Sequence, residues 1–305
     1  MDNKLTVTSS PHIHTYDSTS SIMLAVIIAL VPAAIYGTII FGWYAGVIIL
    51  VSVASSLLFE FLWNRIMKKP NSLGDLSAVV TGLLLALNLP PRVPLYVPVI
   101  GSLIAIIVVK QMFGGLGNNF VNPAIAARIV LMVSFPKLMT EFYEPFSEIV
   151  SSATPLASGT QSLKELFLGM HAGCIGETSV LLLAICGIGL IVTKIIDPII
   201  PFTYIGTVFL LSWAFGMNPL YAVMSGGLMI GAFFMATDYV TSPTFPLGKL
   251  IFGIGCGLLT VVIRKFASLP EGVSYSILLM NILVPHIDNL TAIKPFGKVG
   301  AKKNG

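Results

Sequence analysis

Residues 22–63 read IMLAVIIALVPAAIYGTIIFGWYAGVIILVSVASSLLFEFLW. A bilayer core of ~30 Å takes about 20 apolar residues of helix, each rising about 1.5 Å. The quoted stretch holds two such lengths, 22–41 and 43–63, parted by Gly42. Outward from it, apolar runs recur at 76–89, 95–112, 123–135, 179–196, 199–215, 220–236, 247–264 and 273–285. That makes about ten segments, several of them too short to cross alone. The run at 76–89 is stopped by Pro90-Pro91 and 123–135 is short, which points to broken helices packed inside protein. The expected fold is an all-α integral membrane protein of about ten transmembrane segments, in two pseudo-repeats of five with broken or short helices.

Composition leads to the same class. The chain has 305 residues, 55% hydrophobic and 10% charged, with a mean hydropathy of +0.92. A soluble domain carries about 25% charged residues, so lipid must be the solvent for most of this surface. The formal charge of +4 chiefly concerns orientation. No Lys/Arg run is interleaved with aromatics, which argues against nucleic acid. Residues 1–21 are polar and no cleavage-site pattern follows the first apolar run, so that run is read as a retained anchor.

The division expected is a cytoplasmic tail at 1–21, a first membrane half at 22–135, an extracytoplasmic loop at 136–178, a second half at 179–287 and a cytoplasmic tail at 288–305. An even number of crossings puts both termini on one side. With the N-terminus inside, the inner segments hold Lys4, Arg65, Lys68, Lys69, Lys110, Lys194, Lys249, Lys294, Lys298, Lys302 and Lys303. The outer ones hold Arg92, Lys137, Lys164, Arg264 and Lys265. The positive-inside rule favours this arrangement in a cell membrane, with the Arg264-Lys265 pair standing against it.

Metal chemistry finds no footing. Cys174, Cys186 and Cys256 are scattered and form no CxxC, and the latter two read as packing residues inside apolar runs. His12 and His14 lie in the polar tail, while His171 and His286 stand alone. Neither a Walker loop, a Rossmann glycine pattern nor a catalytic Ser or Cys elbow is present.

Three motifs remain. Two are glycine–proline interruptions in roughly corresponding halves, Gly114-Gly115-Leu116-Gly117-Asn118-Asn119-Phe120-Val121-Asn122-Pro123, and Gly226-Gly227-Leu228 through Thr237-Asp238-Tyr239-Val240-Thr241-Ser242-Pro243. Paired interruptions mark inverted repeats with a site between the halves. Glycines and asparagines also make ordinary turns, yet asparagines beside apolar helices are costly unless their amides are satisfied. An amide offers an acceptor and a donor, a pairing that suits the pyrimidine edge of an isoalloxazine ring. Asp238 reads either as part of an ion path or polar network, or as the cap of the broken helix that follows. Arg128 is either its partner or a group facing a bound flavin. The third motif is Glu148-Ile149-Val150-Ser151-Ser152-Ala153-Thr154-Pro155-Leu156. By itself this is a loop whose hydroxyls bond nearby backbone and whose Pro155 holds Thr154 extended.

That last segment resembles the flavinylation signature of the NqrB/RnfD family: an acidic residue, two variable positions, Ser/Thr, a small residue, then Ala-Thr. Here Glu148 stands where Asp is common and Ser152 where Gly is common. The likeness runs over nearly the whole chain, through helix order, Ser-Ala-Thr-Pro-Leu and the Asp-x-Val-Thr-Ser-Pro stretch, and the short N-terminal region favours the RnfD branch. The resemblance implies FMN held covalently as a phosphoester on Thr154, with Ser151, Ser152 and Ala153 around it. It further implies a second flavin, riboflavin, nearer the cytoplasm at Asn119 and Asn122, with Gly115 and Gly117 permitting close approach.

The implied activity belongs to a translocase, not to one chain: ferredoxin:NAD⁺ electron transfer coupled to Na⁺ or H⁺ movement. Its other parts would be further Rnf-type chains: an outer flavoprotein (G), two membrane chains (A and E) and two cytoplasmic chains (B and C). A hydrocarbon layer of ~30 Å is too wide for one electron hop, so carriers must be stepped across it. Two rival readings are a secondary transporter with a midplane ion or solute site near Asp238, and a scaffold protein without cofactors.

Overall fold

A computed structural model describes residues 18–70, 72–147, 150–151, 162–177, 179–267 and 272–292. Thirteen helices are described in chain order. The first five are α1 (Thr19–Phe41), α2 (Trp43–Ile66), α3 (Ser77–Leu87), α4 (Tyr96–Leu103, continuing with π-helical turns over Ile104–Gln111) and α5 (Pro123–Ser134). A connecting region follows, with α6 (Pro136–Thr140), strands β1 (Phe142–Tyr143) and β2 (Val150–Ser151), α7 (Leu163–Leu168) and a 3₁₀ turn at Ile175–Glu177. The remainder is α8 (Val180–Val192), α9 (Ile199–Ala214), α10 (Pro219–Met224), α11 (Leu228–Ile230, with π-helical turns over Gly231–Met235), α12 (Pro246–Phe266) and α13 (Gly272–Thr291).

The capping chemistry explains where the long helices begin and end. Ser18 and Ser21 exchange bonds at the start of α1, the Ser21 N–H donating to Ser18 Oγ at 3.1 Å and the Ser18 N–H to Ser21 Oγ at 3.0 Å. Gly42, at φ +89°, turns α1 into α2 in one residue, a conformation that a side chain would strain. Among the described residues α1, α2 and α12 are long and apolar enough to cross a membrane, while α3, α4 with its extension, α5, α8 and α9 are apolar but shorter.

Helix α3 is packed in protein, as a broken segment must be. The 11 residues of α3 span only ~17 Å, and nine of them are buried. A helix end inside a bilayer leaves carbonyls that lipid cannot satisfy. Here Asn88 Nδ2 returns to the Leu84 carbonyl at 2.7 Å.

Two expectations are revised. The run 220–236 is not one segment but α10 and α11, parted at Ser225–Gly227, where Gly226 and Gly227 both sit at φ +67°. Arg264 closes the break by donating to the carbonyls of Ala222 (2.6 Å), Ser225 (3.0 Å) and Gly226 (3.2 Å). Its charge therefore serves a helix end. The last helix also runs through Pro285 to Thr291, since a proline removes one backbone bond but need not stop a helix held on both sides by buried contacts, here Val284 and Ile287.

In each half, one long helix carries its neighbours. Helix α2 packs on α3 and α4, α12 packs on α9 and α13, and α1 touches α2, α3 and α8, joining the halves. Helix α1 also marks two faces. At its start Ser20 Oγ donates to the Gly74 carbonyl at 2.8 Å. At its far end Tyr36 Oη donates to the Leu168 carbonyl at 2.7 Å, and the Phe146 N–H to the Ile40 carbonyl at 3.1 Å. The roughly twenty helical residues between Ser20 and Ile40 measure ~30 Å, the thickness of a hydrocarbon core. The connecting region thus gathers on the face opposite the Gly74 turn.

Candidate functional site

A cleft opens between the halves, with polar lining from Ser77, Lys110, Asn119, Asn122, Asp238 and Tyr239 and apolar walls that include Val26, Leu84, Leu190, Phe233 and Phe234. Both π-helical stretches end beside it, at Gln111 and Met235. Such local widenings recur at functional sites.

The glycine–asparagine motif divides into turn, cap and free acceptor. Gly114, Gly115 and Gly117 all have positive φ, at +121°, +95° and +91°. A side chain on Gly117 would meet nothing within 4 Å, so what requires glycine there is the turn itself. Asn122 caps α5, its Oδ1 accepting from the N–H groups of Ala124 (3.0 Å) and Ile125 (3.3 Å). Its Nδ2 donates across to the Met235 carbonyl at 3.2 Å, tying α5 to the second half. With Oδ1 accepting twice and Nδ2 donating once, Asn122 keeps one amide N–H to offer a ligand. Asn119 is different. Its side chain is 9% exposed, and Oδ1 is buried without a hydrogen-bond partner among the described residues. A buried carbonyl without a partner, on a residue that lines a cleft, is ordinarily satisfied by a donor from a ligand or a water.

One wall includes half of a buried pair that the sequence motifs did not single out. Lys110 Nζ is 2.9 Å from both carboxylate oxygens of Glu60 and 2.6 Å from Ser77 Oγ. Glu60 is 0% and Lys110 1% exposed. Gln111 Nε2 (3.1 Å) and Ser72 Oγ (2.7 Å) complete the shell around Glu60. The signal was available: an acid in the interior of an apolar helix and a base ending another are functional or paired by default.

Asp238, half-buried, accepts from Thr241 Oγ1 at 3.0 Å and closes its own turn, with the Thr241 N–H returning to the Asp238 carbonyl at 3.3 Å. It does not cap the following helix, since α12 begins at Pro246 after Phe245 with no side-chain cap. Nor is Arg128 its partner. Arg128, 2% exposed, donates to Asn88 Oδ1 (2.7 Å), Ser274 Oγ (3.0 Å) and Cys174 Sγ (3.5 Å). It also pairs with Glu177 at 3.6 Å. Arg128 is absent from the cleft lining. It is a staple holding α3, α5, α13 and the connecting region together.

The connecting region docks through that staple. Glu177 and His171 are 6% and 2% exposed. Burial lowers the affinity of the His171 imidazole for a proton below its ordinary value, against the opposing pull of the Ala172 carbonyl and the Glu177 charge. Gly227 must be glycine twice over: its φ is +67°, and a Cβ there would stand 2.6 Å from Glu177 Oε1. Of the third motif, Ser151 ends β2, paired with Phe142. Glu148, Ser152, Ala153 and Thr154 lie outside the described residues, as does the Ser151 side chain.

Fold and cleft together define a polytopic helical membrane protein with a mostly apolar, polar-edged cleft between two halves and a docked connecting region on the opposite face. The chain belongs to the NQR2, RnfD, RnfE family, whose model matches residues 6–297. It is 47% identical over 309 aligned positions to the D subunit of the Na⁺-translocating ferredoxin:NAD⁺ oxidoreductase complex of Acetobacterium woodii, covering 98% of this chain and 97% of the relative. It is 43% identical to the D subunit of the proton-translocating ferredoxin:NAD⁺ oxidoreductase complex of Clostridium ljungdahlii, covering 97% of each. The D subunit of the ion-translocating oxidoreductase complex of Shewanella amazonensis is 36% identical, covering 97% of this chain and 99% of the relative.

Proposed function

We propose that this chain is the D subunit of an ion-translocating ferredoxin:NAD⁺ oxidoreductase complex, an electron-carrying part that is not catalytic alone. It works with the outer flavoprotein G, the membrane chains A and E, and the cytoplasmic chains B and C. Its segments cross as two sets of five, with both termini cytoplasmic. FMN is esterified to Thr154 on the outer face, and a second flavin, riboflavin, occupies the cleft at Asn119. When bound, the two flavins supply one- and two-electron redox chemistry on opposite sides of the hydrocarbon layer.

The observation that carries this reading is the Asn119 carbonyl, without a partner among the described residues, beside a mostly apolar cleft on the face opposite the docked connecting region, within whose sequence Thr154 lies. A mostly apolar cleft with a few placed polar groups is the usual form of a small-molecule site. The charge of the lining favours a flavin without phosphate. The Lys110 ammonium is neutralised by Glu60, and Asp238 has no cationic partner among the described residues. The helix N-termini reaching the cleft are filled by their own chain: Asn122 caps α5, and Asp75 accepts from the Ser77 N–H of α3 at 2.8 Å. Among the described residues no seat for an anion is left there.

The test is optical. Denatured protein from a matured complex is expected to fluoresce as a flavin on a gel, and Thr154→Val to darken it, with the Thr154 peptide carrying the mass of FMN less water. An unmodified peptide overturns the covalent site. Solvent extraction of the Thr154→Val complex is expected to release riboflavin. The transporter reading, in which Asp238 and the cleft take an ion or solute, predicts a colourless protein in both assays.

A further inference from the structure

The last turns of α2 carry an apolar stripe that ends in positive charge. Leu58, Phe61, Leu62 and Ile66 are 53%, 46%, 40% and 70% exposed, and with the exposed Arg65 their spacing of three and four puts them on one helical face. Lys68 and Lys69 follow at once, both exposed. Lys68 adopts φ +52°, a left-handed conformation that a lysine enters at a cost. The chain is thereby folded back, with the Lys69 N–H donating to the Asn64 carbonyl at 2.9 Å. The result is a surface hollow of about 450 Å³ lined by Phe61, Asn64, Arg65, Lys68 and Lys69.

This cluster is uncompensated. Among the described residues none of its three cations forms an ion pair. The nearby acids are spent elsewhere, Glu60 on Lys110 and Asp75 on Ser77. An uncompensated cationic hollow at the end of an apolar helix, directly beside exposed apolar side chains of the same face, matches one kind of molecule: a phosphate with acyl chains hanging from it.

We propose that the hollow at the end of α2 binds an anionic glycerophospholipid, its phosphate held by Arg65, Lys68 and Lys69 and its acyl chains lying along Leu58, Phe61, Leu62 and Ile66. An acidic protein surface supplies the charge but not the chains. A free phosphate has no use for the apolar stripe. The inference is independent of which flavins the chain carries.

Native mass spectrometry of the purified complex with added phosphatidylglycerol or phosphatidylcholine tests it. The wild-type complex is expected to retain phosphatidylglycerol several-fold better, with the preference weakening as ionic strength rises. In Arg65→Gln/Lys68→Gln/Lys69→Gln the preference is expected to vanish while complex mass stays the same. Lys68→Arg/Lys69→Arg is expected to keep it, which covers the case of a triple variant that does not assemble. Undiminished preference in the triple variant overturns the proposal. So does displacement of the lipid by millimolar inorganic phosphate, or loss of a partner chain from an otherwise folded triple variant, which would make the hollow a protein interface.

Discussion

Lys110 and Glu60 meet where neither touches water, so each is tolerable only because the other is there. Lys110→Met leaves a buried, uncompensated carboxylate and is expected to destabilise the folded protein by about 3–5 kcal/mol. Adding Glu60→Gln removes that charge and should recover most of the loss, measured by thermal unfolding in detergent. A second residue-scale prediction concerns Asp238. With no cationic partner among the described residues, its carboxylate disfavours an anionic ligand in the cleft. In a Thr154→Val background, Asp238→Asn is expected to let FMN appear beside riboflavin among the extracted flavins, read by chromatography. An unchanged flavin ratio would remove Asp238 from ligand selection. Asn119 and Asn122 show what a motif alone conceals. Both stand in the same Gly-Asn run, yet one is a helix cap and the other an unpaired acceptor, because only the folded chain brings the Ala124 and Ile125 N–H groups and the Met235 carbonyl to Asn122.

Broken helices are where this fold departs from a simple bundle. Their ends fall inside protein, so side chains must replace the water that would otherwise satisfy them. Arg264 does this for α10 and Asn88 for α3. The break between α10 and α11 depends on Gly227, and Gly227→Ala meets both a left-handed backbone and the Glu177 carboxylate. A cost of about 2–4 kcal/mol is expected from the two terms together, seen as a lowered melting temperature, whereas Gly189→Ala, with nothing within 4 Å of the added carbon, should be near neutral or stabilising. Most element boundaries were legible from apolar runs to within a few residues. The split at Ser225–Gly227 and the continuation through Pro285 were not. Glycine and proline are ambiguous signs there: whether a glycine pair breaks a helix, or a proline ends one, turns on which side chains are close enough to take the freed backbone groups.

On the scale of the whole molecule, the connecting region is held to the seam by buried polar groups, and this makes its docking sensitive to acid. The folded state lowers the proton affinity of His171, so the unfolded chain takes up a proton that the folded chain refuses. Stability from this site is complete above the ordinary imidazole pKa of about 6.5 and falls as pH drops through the lowered folded value. A melting temperature followed from about pH 8 to pH 5 should therefore decline more steeply in the wild type than in His171→Leu. By itself the sequence determined the solvent of this protein, the places where helices form and the family to which it belongs. Lipid crossing demands runs of apolar residues that composition and period reveal directly. Only the tertiary structure decided that Arg128 serves Glu177 and Asn88 rather than Asp238, that Glu60 and Lys110 neutralise each other, and that the Asn119 carbonyl has no partner among the described residues. Each of those is settled between residues distant in the chain, and what a buried polar group does is fixed by whichever partner reaches it.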